Sequence, residues 1–98
     1  MDVKERLKAY ILEKVKKETT VNKPYYIIRW SGLAELAQYY GCDLLQIIDE
    51  MVDAGLIKKA LIPTKTGRKL LAICLPERAT SKKARNIIQD FETFMKKQ

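Results

Sequence analysis

Apolar residues recur along this 98-residue chain with two different periods. Over residues 2–18, Val3, Leu7, Tyr10, Ile11 and Val15 return at helical spacing, and Leu12 widens the stripe beyond one face. Asp2, with Glu5 three residues on, has the form of a capping box that satisfies the first amides. Pro24 disfavours helical geometry at Lys23, so this helix ends within TTVNKP. The run YYIIRW is β-branched and aromatic and predicts a short strand. Ser31 is a natural N-cap for a second helix through Tyr40, with Leu33, Leu36, Ala37 and Tyr40 inward and Gly41 closing it. Asp43, with Gln46, forms a second capping box for a third helix whose buried stripe is Leu44, Ile47, Ile48 and Met51. Gly55 ends that helix, and Leu56 and Ile57 begin a strand.

From there the pattern becomes strand, turn and strand: KKALIP, TKTGRK and LLAICLP. Gly67 supplies the unusual dihedral of the turn, and Pro63 and Pro76 sit at strand ends, where a missing amide is tolerated. A last helix over 81–97 carries Ala84, Ile87, Ile88, Phe91, Phe94 and Met95 on one stripe. The pattern predicts one α+β domain spanning 1–98 with a single core. Cys42 and Cys74 lie far apart, without a CxxC pair, and the chain has no His, which excludes the usual zinc patterns and His-based catalysis. Free thiols are expected rather than a disulfide. No apolar run approaches the ~20 residues that span a bilayer. MDVKERLKAY lacks a signal-peptide core, so a cytoplasmic location is expected.

Charge changes the picture because it is unevenly placed. The net charge is +4 over residues 1–30, −5 over 31–57, +5 over 58–70 and +3 over 71–98, for a total of +7. A basic balance points to an anionic partner, yet the third helix carries Asp43, Asp49, Glu50 and Asp53 and no basic residue. Lys65, Thr66, Arg68 and Lys69 form the turn of the hairpin, with Lys58 and Lys59 at its base. They serve either as phosphate contacts or as charges that discourage edge pairing. Asp49, Glu50 and Asp53 form either a solvated face or a docking surface for a basic partner. Lys4, Arg6, Lys8, Lys14, Lys16 and Lys17 read as a solvated face of the first helix that can extend a phosphate track. Trp30 reads as core rather than as a base-stacking platform. No catalytic set assembles, so a non-enzyme without cofactor or metal is expected.

The order helix, strand, helix, helix, strand, basic turn, strand, helix resembles the winged-helix fold. Glu35-Leu36-Ala37, Gly41, Ile48, Met51 and Ala54-Gly55-Leu56-Ile57 are similar to the pattern of small archaeal and bacterial MarR-like and PadR-like regulators. The resemblance implies a three-helix core with a small antiparallel sheet. It places a helix-turn-helix over 31–57, a wing over 58–76 and a C-terminal helix over 81–97. It also implies a transcriptional regulator whose partner is double-stranded DNA. Contacts would come from Arg29, Ser31, Gln46, Lys58, Lys59, Lys65, Thr66, Arg68 and Lys69. The outward face of the third helix (Asp43, Gln46, Asp49, Glu50 and Asp53 on a helical wheel) departs from the family's usual chemistry. Phosphate contacts by the wing and the basic N-terminal region are therefore expected to dominate over base reading. The alternative is a winged helix used for protein–protein contact in a replication or transcription assembly, docking through Asp49, Glu50 and Asp53. Excess apolar surface at Leu7, Ile11, Leu12, Ile88, Phe91, Phe94 and Met95 predicts a homodimer formed by the terminal helices.

Overall fold

Asp2 accepts a hydrogen bond from the Glu5 amide at 2.8 Å and starts the first helix, α1 (Val3–Glu18). Leu7, Ile11 and Val15, spaced four residues apart, form its buried ridge. The helix stops where Thr19 turns to extended backbone. Thr19 is buried, and its hydroxyl donates to the Val15 carbonyl at 2.5 Å while accepting from Arg78 Nη1 at 3.0 Å. A lone buried hydroxyl is destabilising, so this pairing lets the helix end lie inside the molecule.

The computed structural model describes residues 2–29, 31–78 and 82–96, with the side chains of 83, 84, 94 and 95 outside that description. Expectations that fall on Trp30, on the side chains of Ala84, Phe94 and Met95, and on the outermost residues of the last helix lie outside the described residues. The described residues form four α-helices, a 3-10 turn and a three-stranded antiparallel sheet, an α+β architecture.

The expected strand in YYIIRW shortens to β1 (Tyr26–Ile27). The Ile28 amide still reaches the Leu71 carbonyl at 3.2 Å, but Ser31 then bonds back to the Ile28 carbonyl through both its amide (3.2 Å) and its hydroxyl (2.7 Å). That hook turns the chain out of the sheet. Ser31 is accordingly not the N-cap residue. Gly32 occupies that position before α2 (Leu33–Tyr39), and the Ser31 hydroxyl accepts from the Leu33 amide at 3.2 Å.

Asp43 begins α3 (Leu44–Asp53) by accepting from the Leu45 amide at 3.1 Å, and Leu44, Ile47, Ile48 and Met51 are buried as the pattern requires. At its other end the Leu56 amide bonds to the Met51 carbonyl and the Gly55 amide to the Val52 carbonyl, both at 3.0 Å. This is the Schellman arrangement, which needs a left-handed residue; Gly55 has φ 75°. Gly41 closes α2 with the same pair of bonds. Leu56 does not join the core or a strand: it is 40% exposed, and Ile57 alone anchors the entry to the sheet.

β2 (Lys58–Pro63) and β3 (Lys69–Cys74) pair along their whole length, from Lys58 opposite Cys74 to Pro63 opposite Lys69. β1 pairs on the other side of β3, so the order is β1-β3-β2. Alternation along the strands sends Ile73 and Leu71 into the main core with α1, α2 and α3, and Cys74 and Ala60 into a smaller one. After the 3-10 turn at Pro76–Arg78, α4 (Lys82–Lys96) packs on β2 and covers that second face with Ile87 and Ile88. Burying one Leu or Ile is worth about 1.5–3 kcal/mol, so both faces contribute to stability. No helix among the described residues is long and apolar enough to cross a membrane.

Two expected interface residues change role here. Leu7 and Ile11 are 6% and 1% exposed in the main core, so they offer too little surface to form an interface with a second copy. Leu12 is half-buried against the same core. Ile88 and Phe91 are half-buried because α4 lies on the sheet, which covers much of the apolar excess read from the sequence.

Candidate nucleic-acid interface

The β2–β3 hairpin is closed by three bonds around Thr64. Its amide donates to the Arg68 carbonyl at 2.9 Å, its hydroxyl donates to the same carbonyl at 2.7 Å, and its carbonyl accepts from the Gly67 amide at 3.1 Å. Gly67 takes φ 82°, the left-handed geometry of a three-residue hairpin loop. The Thr66 hydroxyl lies 3.1 Å from that of Thr64. The tip is thus held in one backbone conformation, from which Lys65, Thr66, Arg68 and Lys69 project as exposed side chains. Lys65, Arg68 and Lys69 form no ion pair among the described residues. Residues 58–76 contain no acid, so nothing local neutralises them.

The two lysines at the base of the hairpin differ. Lys58 is exposed, as expected of a contact residue. Lys59 is half-buried, its ammonium paired with Asp49 of α3 and lying 5.8 Å from the centre of the Phe91 ring. Lys59 therefore ties β2 to α3 and α4, unlike Lys58.

The acidic helix is also not the surface that its sequence suggests. Glu50 turns toward α1, where Lys4 reaches Oε2 at 2.6 Å and Lys8 reaches Oε1 at 3.2 Å. Lys8 also pairs with Glu5 at 3.4 Å. Lys4, first, and then Lys8 hold the Glu50 carboxyl below its ordinary value, while Glu50 in turn raises Lys8. Glu50 is therefore a bridge between helices rather than part of an open acidic face. Of the four carboxylates of this helix, Asp49 meets Lys59 and Glu50 meets Lys4 and Lys8, the latter shared with Glu5, whereas Asp43 and Asp53 have no ion pair among the described residues. The repulsion toward a phosphate backbone that four free acids would create is thus reduced at Asp49 and Glu50 and remains at Asp43 and Asp53.

The remaining expected contacts are scattered. Gln46 is exposed on α3 and makes no bond to Asp43, so the second capping box is half-formed. Arg29 is exposed just after β1. The Ser31 hydroxyl is occupied by the Ile28 carbonyl and the Leu33 amide, which makes it a turn-forming group. Asp53 and Asp43 stay exposed. Sequence reasoning missed the Lys4–Glu50–Lys8 bridge, whose two ends lie 42 residues apart for the Lys8 bond. Its one signal was the i,i+4 spacing of Lys4 and Lys8 on a single side of α1. No family model, curated protein or solved structure matches this chain.

Proposed function

We propose that the chain is a winged-helix DNA-binding protein, acting as a transcriptional regulator, that holds duplex DNA chiefly by its phosphates with the β2–β3 hairpin as the wing. One observation carries this reading. Lys65, Arg68 and Lys69 are exposed and, among the described residues, without an ion pair on a loop closed by three hydrogen bonds, while Asp49 and Glu50 of α3 are paired with the protein's own lysines. A fixed loop bearing free cations suits backbone contact without a large ordering penalty, and phosphate contacts carry most non-specific affinity. The element order, helix-turn-helix followed by hairpin, supports the same reading. A gel shift with random-sequence duplex at two salt concentrations tests it. Binding should be plain at low salt and fall steeply as salt rises. Absence of binding at low salt removes the proposal.

Docking of a basic protein partner through Asp49, Glu50 and Asp53 has less support, since Asp49 and Glu50 already have cationic partners and only Asp53 is open. Of the residues expected to join two copies, Leu7 and Ile11 are core, which leaves the half-buried Ile88 and Phe91 of α4 to carry a two-fold pair. A monomer mass by light scattering at ~100 µM, well above the Kd of a typical homodimer, would remove the pair.

A further inference from the structure

Helix α1 divides its surface among three neighbours. Leu7, Ile11 and Val15 enter the main core, and Lys4 and Lys8 turn to Glu50. A third stripe, Val3, Arg6 and Tyr10, faces Leu36 and Tyr40 across a groove of about 360 Å³ whose floor includes the edge of Leu7. Val3, Tyr10 and Tyr40 are 41%, 44% and 50% exposed. Tyr39, 81% exposed, stands edge-on to Tyr40 with ring centres 5.0 Å apart. Isolated exposed apolar side chains are ordinary, but several converging on one groove mark an interaction site. The volume lies within the roughly 300–1,000 Å³ usual for binding sites, and Tyr and Arg are the side chains that dominate binding hot spots.

Charge selects the occupant. Arg6 lines the groove, and the Lys14 ammonium lies 5.9 Å from the centre of the Tyr10 ring, with Glu13 and Lys17 beside it. Among the described residues none of Arg6, Lys14 and Lys17 is ion-paired, so Arg6 in the groove and Lys14 and Lys17 in the adjoining one beyond Tyr10 outnumber Glu13 and make this side of α1 basic. A second copy related by a two-fold axis would set these cations against themselves. The aliphatic floor of Val3, Leu7 and Leu36 suits a branched or aromatic side chain better than the face of a base. We propose that the α1–α2 groove docks an amphipathic protein segment whose large apolar side chains are flanked by Asp or Glu. Its apolar stripe fills the groove as a helix does in a hydrophobic cleft, and a carboxylate forks with Arg6. None of these residues belongs to the hairpin, so this inference stands or falls separately from duplex binding.

Two synthetic amphipathic helical peptides with the same Leu/Phe stripe, one flanked by Glu and one by Lys, are titrated into ¹⁵N-labelled full-length protein. The Glu peptide should bind at least about tenfold more tightly, with amide shifts centred on Val3, Arg6, Tyr10, Leu36 and Tyr40. Arg6→Glu should reverse the preference without moving the thermal transition, because Arg6 is exposed. Tyr40→Ala should weaken the Glu peptide about tenfold. Five results overturn the proposal. Neither peptide binds, or both bind equally. The shifts fall elsewhere. A single-stranded oligothymidylate shifts the same amides more tightly than the Glu peptide, which makes the tyrosines a base-stacking platform. A dimer protects these amides, which makes the occupant a second copy.

Discussion

Replacing Lys65, Arg68 and Lys69 together by alanine removes three cations of the hairpin tip that have no ion pair among the described residues, and leaves its closing bonds in place, since those run through Thr64, Gly67 and the Arg68 backbone. If each cation neutralises one phosphate, the slope of log affinity against log salt shrinks by about 2.7, at about 0.9 per phosphate. Between 50 and 200 mM salt, one such contact accounts for a loss of about 3.5-fold, and three account for about 40-fold. The triple variant should therefore bind more weakly at low salt yet lose about 40-fold less over that range. Fluorescence anisotropy of a labelled duplex across the salt series reads both quantities. The complementary variant, Asp49→Asn with Glu50→Gln and Asp53→Asn, frees Lys4 and Lys59, leaves Lys8 to Glu5 alone, and should raise non-specific affinity. An unchanged slope in the hairpin variant would refute the assignment of the wing. Loss of sequence discrimination in the α3 variant would show that the acids read bases directly.

Stability should be pH-dependent through Glu50. Its folded value is depressed, so its contribution is present above its ordinary value of 4.5 and is lost as pH falls through the depressed one; Glu50→Gln should flatten that acid limb of Tm between pH 2 and 5, and an identical limb in the variant would show the bridge to be inert. Gly55→Ala meets no neighbour within 4 Å, so its cost is purely that of a left-handed Cβ, about 1 kcal/mol or 4–8 °C in Tm, and an unshifted transition would contradict the Schellman ending. Cys42 and Cys74 are both free, and replacing both by alanine should leave cooperative unfolding with a loss of about 1–2 kcal/mol, nearly all from buried Cys74; a collapse that reductant reproduces in the parent protein would reveal a disulfide.

Much of the architecture was readable because local signals and burial agreed. Asp2, Asp43, Gly41, Gly55 and Gly67 each sit where the turn or cap chemistry places them, and Leu44, Ile47, Ile48 and Met51 are buried as their spacing requires. The strand near Tyr26 was overread because a β-branched run says nothing about where a serine hook ends pairing. Glu50 was misplaced for a different reason. A helical wheel sorts residues by angle, but a long carboxylate near the boundary goes to whichever helix offers it ammonium groups, and α1 offers two. Leu7 and Ile11 were assigned to an interface because composition does not show that α4 and α1 have opposite faces of one sheet to cover. The hairpin cations were found directly, since an acid-free stretch with a glycine turn leaves them no local partner.

The burial of Cys74 beneath α4 gives the molecule a built-in clock. The thiol is 0% exposed, and burial pushes its pKa up to about 11, so a thiol reagent at neutral pH reaches it only after something opens. Among the described residues it is buried with Ala60 on β2 and Ile87 on α4, in a cluster separate from the core beneath the opposite face of the sheet. Detachment of α4 leaves the main core beneath the opposite face of the sheet in place, so it exposes less surface than unfolding of the whole chain. The labelling rate of Cys74 in native buffer consequently measures how often the last helix lifts from the sheet, whereas loss of helical signal measures global unfolding. Ligands that hold α4 down will slow the first without changing the second to the same degree.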